Sequence, residues 1–170
     1  MACLLTSGRA LPCKSSVGGL KAVYFADYGT LGDATIVAGE ITAVAGTPDF
    51  FKYDIKGSSS LETAITSSRE NGTTFYTQTL NLTLTTLDKA TQEEIKLLSV
   101  SRPHIAVEDY NGNFFMLGLE HGAEVTGGSI ASGASMADAS SFSLTFEAME
   151  KSPANFTVST VVTANESATQ

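Results

Sequence analysis

The sequence predicts a mainly β protein, an antiparallel β-sandwich or barrel with one short helix. Two Asn-Gly pairs, at positions 71–72 and 111–112, each lie between extended apolar runs, a pattern typical of β-hairpins. Residues 73–85 alternate leucine with threonine or asparagine towards their end, as a strand with one buried face does. The stretch at about residues 86–100 instead spaces its apolar side chains at helical intervals.

Residues 1–18 are predicted to form an extended N-terminal arm, because turn residues such as Gly8 and Pro12 interrupt it. The arm holds both cysteines, Cys3 and Cys13. The two thiols are either reduced or joined in a local disulfide, and the sequence leaves both states open. They are not expected to bind a metal, since two ligands without a nearby histidine do not make a tetrahedral site.

Residues 19–163 are predicted to form a single β domain, which is enough chain for one hydrophobic core. Several short strands are expected before the long strand at 73–85. They are predicted at residues 20–26, 36–44, 50–55 and 60–69, with a break at Gly39. The last of these is expected to pair with the long strand through Asn71-Gly72.

The predicted helix takes Thr86 as its N-cap and Asp88 into its first turn, where a carboxylate suits the helix dipole. Pro103 ends it. The second hairpin follows, with strands at residues 104–110 and 113–120. Both residues of its Asn-Gly turn are expected to adopt positive φ.

Residues 127–139 are rich in glycine, alanine and serine and show no period, so a flexible loop is predicted there. Residues 140–149 alternate apolar with polar side chains and are predicted to form a strand. A last strand is expected at residues 156–162, and residues 164–170 are expected to be a polar tail.

The chain is acidic, with 10 Lys and Arg against 18 Asp and Glu, a formal net charge of −8 and a pI of about 4.6. Phosphate binding needs clustered cations, so bound nucleic acid is not expected. No apolar run approaches the roughly 20 residues that span a membrane. The N-terminal apolar patch is too short for a signal peptide, and we expect no membrane association.

No residues with catalytic spacing stand out, so we expect no enzyme, no cofactor and no metal site. The two histidines, His104 and His121, are accompanied by no Gly-x-Ser-x-Gly motif, and both are expected at the surface or at a strand edge. Asp27 with Asp33, or Glu108 with Asp109, could bind a cation, but oxygen-ligand loops usually carry a denser set of carboxylates. Solvated charge is the expectation there.

Two stretches carry a resemblance to a known family. One is MACLLTSGR at the N-terminus, and the other is FFMLGLEHGAEVTGG from Phe114, continuing in FSLTFEAMEKSPANF from Phe142. Together with the order strand, hairpin, long strand, helix, hairpin, loop and strand, they resemble the tail-tube proteins of tailed bacteriophages. That fold is shared with the inner tubes of contractile secretion machines. The resemblance implies a tail-tube-like fold.

The resemblance further implies a viral structural protein, a tail-tube subunit that forms stacked hexameric rings. The acidic charge predicts a lumen that conducts phage DNA without specific binding. Such a protein would be assembled in the host cytoplasm and belong to the virion, in the phage tail, beside other virion proteins. The alternatives are a capsid decoration protein, a neck or tail-terminator protein, or a carbohydrate- or receptor-binding β-sandwich. The last is suggested by the aromatics Tyr24, Tyr28, Tyr53 and Tyr110.

The arm and the predicted loop lack the apolar period of a core, so we expect them to contact neighbouring subunits of a homo-oligomer. The candidate contact residues are Cys3, Leu4, Leu5, Arg9, Gly127, Gly128, Ile130 and Met136.

Overall fold

The computed structural model describes residue 5 and residues 7–167, which form two mainly antiparallel sheets and two helices. The strands of the first half are β1 Leu20–Ala26, β2 Ala34–Val37, β3 Glu40–Val44, β4 Phe51–Asp54, β5 Ser60–Ser68 and β6 Thr73–Thr85. Helix α1 is Lys89–Leu98. The remaining elements are β7 His104–Asp109, β8 Phe114–Leu117, β9 Glu124–Ala131, β10 Ser141–Glu150, β11 Asn155–Thr157 and α2 Ser159–Thr163.

The strands form a seven-stranded sheet in the order β2-β3-β11-β8-β7-β1-β4 and a four-stranded sheet in the order β5-β6-β10-β9. The predicted mainly β sandwich is therefore confirmed. The side chains predicted to point inward from the long strand, Leu80, Leu82 and Leu84, are buried between the sheets. They meet Val23 and Phe25 of the opposite sheet in one core cluster.

The seven-stranded sheet is buried on both faces at its centre. Its second face packs against another cluster, in which Tyr24 of β1 meets Phe50, Phe114 and Val162. Strand β1 thus contributes alternate residues to two cores, and the run from Ala22 to Ala26 is almost wholly buried. This arrangement explains why β1 reads as a continuous apolar run instead of an alternating one.

Both Asn-Gly hairpins form, but with turns other than the predicted type. Among the described residues, positive φ occurs at Gly72 and Gly112 but not at the preceding asparagines. In the β7–β8 hairpin, the Asp109 carboxylate accepts hydrogen bonds from the backbone N–H groups of Asn111 and Asn113. These bonds favour a three-residue loop in which only the glycine is left-handed.

The β2–β3 connection is the hairpin in which two adjacent turn residues adopt positive φ. Ala38 and Gly39 have φ of 52° and 85°, and Val37 pairs directly with Glu40 across them. Alanine is unfavourable in the left-handed region because its Cβ approaches the following carbonyl oxygen. The turn therefore stores strain at one exposed position.

We predict that Ala38→Asn raises the free energy of unfolding by about 0.5–1 kcal/mol, because asparagine tolerates the left-handed conformation better than alanine. Urea unfolding of both proteins measures the change. Gly39→Ala is the matched control and should lower stability by a similar amount. Equal midpoints for Ala38→Asn and the parent would contradict the strain.

Helix α1 lies within the predicted range but begins later than expected. Asp88 is the N-cap, and its carboxylate accepts hydrogen bonds from the N–H groups of Ala90 and Thr91. Thr86 does not cap the helix, because it adopts a positive φ of 73° in the turn that leaves β6. Ile95 is the buried residue of the helix, which covers part of the core between the sheets.

The flexible loop predicted at residues 127–139 is wrong in its first part. Residues 127–131 belong to β9, which pairs with β10 from Glu124 to Ala131 with one irregularity. The backbone ladder with β10 holds this strand despite its small residues, which sequence periodicity cannot show. Beyond it, Asp138 closes a turn by accepting hydrogen bonds from the N–H groups of Ala134 and Ser135.

The strand predicted at residues 156–162 is also corrected. Strand β11 ends at Thr157, and the following residues form helix α2, whose Val161 and Val162 are buried. The predicted polar tail is partly fixed, because Phe50 exchanges backbone hydrogen bonds with Asn165 and Ser167. Each of these two bonds is 2.8 Å long.

The predicted arm contains no helix or strand in its described part, residues 5 and 7–18, and these residues are exposed. Its hydrogen bonds to the β domain join the backbone of Val17 to the side chain of Asn111. Within the described chain, neither helix has the length and apolar character needed to cross a membrane.

Candidate functional site

The predicted contact residues fall into two separate places. Leu5 and Arg9 lie exposed in the arm, whereas Gly127, Gly128 and Ile130 lie on β9. Met136 is exposed in the following turn, and Cys3 and Leu4 fall outside the described residues. The arm is hydrogen-bonded next to the β7–β8 turn, while β9 is paired with β10. The structure therefore joins the β9 residues to one another but not to the arm.

The outward face of the four-stranded sheet carries mainly small polar side chains, with exposed Phe75 of β6 and Met149 of β10 at one end. The strand registers place Thr79, Asn81 and Thr83 of β6 on this face. The facing residues of the other strands include Ser60, Glu62, Ala64, Thr66, Ser141, Ser143, Thr145, Glu147, Ser129, Gly127 and Glu124. The four strands contain no Lys or Arg, so every formal charge on them is negative.

Both edges of this sheet are long. Edge strand β5 has 9 residues and edge strand β9 has 8 residues. Each is paired on one side only among the described residues, by β6 and β10 respectively. Ile65 on β5 and Ile130 on β9 are large apolar side chains on these edges, 68% and 55% exposed.

A second feature is the turn between β8 and β9, residues 118–122, which we call the 118–122 turn. Its conformation depends on glycine at both ends. Gly118 and Gly122 have φ of 62° and 74°, and a Cβ on Gly122 would lie 2.7 Å from the Arg102 carbonyl oxygen. The Gly122 N–H donates to the Gly118 carbonyl and closes the turn at 3.1 Å.

Buried polar side chains from three strands hold the backbone of this turn. The Gly118 N–H donates to Oε1 of Gln78 on β6, at 3.1 Å. His104 on β7 contacts the Gly118 carbonyl through Nδ1, at 2.6 Å. Oε1 of Glu150 on β10 accepts the N–H groups of Glu120 and His121, at 3.1 and 2.9 Å.

His104 is buried, which corrects its predicted position at the surface or a strand edge. Its Nδ1 must donate to the Gly118 carbonyl, which can only accept, and its Nε2 accepts the Gly29 N–H at 3.1 Å. This pair of bonds fits only the neutral imidazole. Burial lowers the pKa of His104 below its ordinary 6.5, although the bond to Gly118 and the charge of Glu150 act in the opposite direction.

Aromatic stacking covers this histidine. The Tyr28 ring stacks on the His104 ring at 5.2 Å between centroids, and the Arg102 guanidinium lies 4.6 Å from the Tyr28 centroid. The Tyr28 hydroxyl donates to the Glu120 carbonyl at 3.2 Å, so the stack also supports the 118–122 turn.

The acidic pair Glu108 and Asp109 considered in the sequence does not form a cation site of its own. Glu108 is buried, and its carboxylate accepts bonds from Lys21 Nζ at 2.7 Å and from the Tyr24 hydroxyl at 3.3 Å. Asp109 points instead into the β7–β8 turn, where it binds backbone N–H groups. The two neighbouring carboxylates therefore have different structural roles.

The residues that hold the 118–122 turn were not predicted from the sequence, although the positions of Gln78 and Glu150 in the strand pattern indicate buried polar residues. Gln78 precedes Leu80, Leu82 and Leu84 at the same inward period. Glu150 likewise continues the inward period of β10, which includes Phe146. A polar residue on an otherwise apolar strand face indicates a buried hydrogen-bonding partner.

Comparisons with models of protein families, with curated proteins and with solved structures found no match to this chain.

We predict that Gln78→Leu lowers the free energy of unfolding by about 2–4 kcal/mol, because it leaves the Gly118 N–H and the Ser152 carbonyl without a partner. Thr85→Val, at an exposed position of the same strand, is the control and should change stability by less than about 0.5 kcal/mol. Chemical denaturation measures both. Similar losses for the two variants would contradict the role of Gln78.

We predict that stability falls as the pH is lowered below about 6.5, the pKa of an unfolded histidine. The unfolded chain takes up a proton there, whereas folded His104, with its lowered pKa, does so only at lower pH. The contribution of neutral His104 to the free energy of unfolding is complete above the pKa of the unfolded histidine. It is lost as the pH falls towards the lower pKa of His104 in the folded protein.

Urea unfolding at several pH values between about pH 7.5 and pH 5 measures this loss of stability, because that range brackets the ordinary histidine pKa. His104→Gln should flatten the pH dependence relative to the parent. His121→Gln, at the exposed histidine, is the control and should retain most of it. An unchanged slope in His104→Gln would assign the acid sensitivity to other groups.

Proposed function

We propose that the protein is a structural subunit that assembles edge to edge into rings, and that the rings stack into the tail tube of a bacteriophage. The observation that carries this proposal is the four-stranded sheet. Its two edges are long, and its exposed face consists mainly of small polar side chains whose only charges are acidic. The assembled protein would be a virion component that other virion proteins contact at its ends.

The edges support assembly because natural proteins usually protect such strands. Lysine, proline or a covering element normally blunts an exposed edge. Strands β5 and β9 contain neither lysine nor proline. Each therefore presents unpaired backbone groups to which another strand can add.

The strand directions favour a closed ring. Because neighbours in the sheet are antiparallel, β5 and β10 run one way and β6 and β9 run the other. In a ring whose axis lies along the strands, β9 of one subunit would meet β5 of the next in antiparallel orientation. Such a contact joins two different surfaces and generates a ring when its rotation closes.

The acidic face supports a lumen that conducts DNA. In the proposed ring, the outward face of the four-stranded sheet would line the channel, with Glu62, Glu124 and Glu147 as its charges. Carboxylates repel DNA phosphates, whereas Lys and Arg would bind them. A lumen of this kind lets the genome slide without adhering.

The arm supports contacts between subunits. Residues 1–18 contain Arg9 and Lys14 and no acidic residue, a charge of +2, so the rest of the chain carries −8 − 2 = −10. Ordering the arm costs roughly 1–2 kcal/mol per residue in backbone entropy. Attraction of these two cations to a negatively charged neighbour would offset only part of this cost, and apolar contacts of the arm would have to supply the rest.

The alternative functions have less support. A decoration protein that binds as separate subunits would not need two complementary edges, whereas a neck or tail-terminator protein that forms a ring would use the same contact. For a glycan-binding surface, the four tyrosines would have to form one platform. Tyr24 is buried and Tyr53 packs against the core, whereas Tyr28 and Tyr110 are about half exposed.

We predict that Ile130→Lys leaves the subunit folded but abolishes assembly, because it places a charge on the proposed β9–β5 contact. Ile65→Lys tests the other edge in the same way. Ile36→Lys is the matched control, since Ile36 is 47% exposed on β2, the edge of the other sheet. Negative-stain microscopy shows the assembly, and circular dichroism shows the fold.

The parent protein and Ile36→Lys should form open-ended tubes or stacked rings, and the two edge variants should remain small on size exclusion. Tubes of normal length from Ile130→Lys would overturn the edge contact. A parent protein that stays monomeric and binds only capsids would instead support a decoration protein.

A further inference from the structure

We propose that Glu120, His121 and Glu150 form a binding site for a divalent transition-metal ion, with Zn²⁺ as the best-fitting ion. The site lies on the 118–122 turn and goes beyond the assembly function, because none of these residues lies on the edge strands β5 and β9.

Three potential ligand atoms converge there. One ligand atom from each side chain lies within 4.8 Å of the others. His121 Nδ1 and Glu150 Oε2 are already 2.9 Å apart. Ligand atoms around a tetrahedral zinc ion lie about 3.3 Å apart, given metal–ligand distances near 2 Å. Only Glu120 has to move appreciably. Its side chain is 56% exposed, and metal binding would replace the 3.9 Å ion pair that its Oε2 makes with Lys151 Nζ.

Glu150 supplies the argument for a cation. Its side chain is 2% exposed, and within the described chain its ion-pair partner is His121, with no Lys or Arg within bridging distance. Histidine is itself a common metal ligand, so a cation bound between the two side chains would supply the counter-charge for Glu150. Buried carboxylates are normally paired with a full charge or bound to a metal.

Hydrogen bonds hold the Glu150 carboxylate and the backbone of the 118–122 turn in place. Oε1 of Glu150 is fixed by the N–H groups of Glu120 and His121, which leaves Oε2 oriented towards the imidazole. Hydrogen bonds of this kind orient ligating carboxylates in metal sites. The backbone that carries the two exposed ligands is in turn held by Gln78 and His104.

The ligand chemistry favours zinc. One imidazole nitrogen and two carboxylate oxygens are ligands that zinc accepts, with water completing a tetrahedral shell. The metal would take the position of the hydrogen between His121 Nδ1 and Glu150 Oε2, and the ring proton would reside on Nε2. Calcium and magnesium prefer a larger set of oxygen ligands and no imidazole.

Isothermal titration of the full-length chain with ZnCl₂ in chelator-free buffer tests the proposal. We expect one zinc ion per chain and a higher melting temperature in its presence. Glu120→Gln and His121→Ala should each weaken binding by at least about tenfold. Glu124→Gln, which removes a nearby exposed carboxylate outside the cluster, should bind zinc as the parent does.

Two further measurements distinguish zinc binding at this site from zinc binding by the cysteines. Substituting serine for Cys3 and Cys13 should leave zinc binding unchanged, and bound Co²⁺ should show visible bands without a thiolate charge-transfer band. Melting curves without zinc should be similar for the parent and Glu120→Gln, which shows that the variant is folded. Zinc binding that survives in His121→Ala, or that is lost with the cysteines, would overturn the proposal, as would absence of binding by the parent.

Discussion

The packing of β1 between two apolar clusters is the constraint on which the rest of the fold depends. Val23 and Phe25 face the four-stranded sheet, whereas Tyr24 faces the cluster around Phe50 and Phe114. Because β1 is buried on both faces, its position determines how both apolar clusters pack against the seven-stranded sheet. It positions β7 and β4 through its two ladders, and β7 carries His104 to the 118–122 turn.

Much of the four-stranded sheet was predictable because its information is local. Leucines and phenylalanines at every second position identify the inward faces of β6 and β10, and these residues are buried as expected. The Asn-Gly pairs located both hairpins correctly. They did not determine the turn type, since Asp109 stabilises a loop in which only Gly112 is left-handed.

The elements that were missed depend on contacts distant in sequence. Helix α2 is a short segment made almost wholly of valine and threonine, so its propensity favours a strand. Burial of Val161 and Val162 beneath the seven-stranded sheet decides otherwise. Strand β9 was missed for the opposite reason, because its glycines and serines carry no periodic signal and its structure comes from pairing with β10.

The candidate site was predictable only in part. Gln78 and Glu150 could be recognised as polar residues on apolar faces, but their common partner could not, since Glu150 lies 30 residues from Glu120 along the chain. His104 shows the same limit, because a histidine at the start of a strand gives no indication whether it is buried. Its two backbone partners, at Gly29 and Gly118, come from separate loops.

The four-stranded sheet and the 118–122 turn suit different kinds of interaction, and the difference has a physical basis. Edge pairing between subunits relies on backbone hydrogen bonds, which require no particular side chain and tolerate small residues such as those of β9. Ion binding relies on a few side chains whose geometry must be fixed before the ion arrives. The two proposals therefore use different parts of one sandwich. Strand β10 exposes Ser143 and Thr145 on its outward face, and it carries Glu150 on its inward face, at the end next to the 118–122 turn.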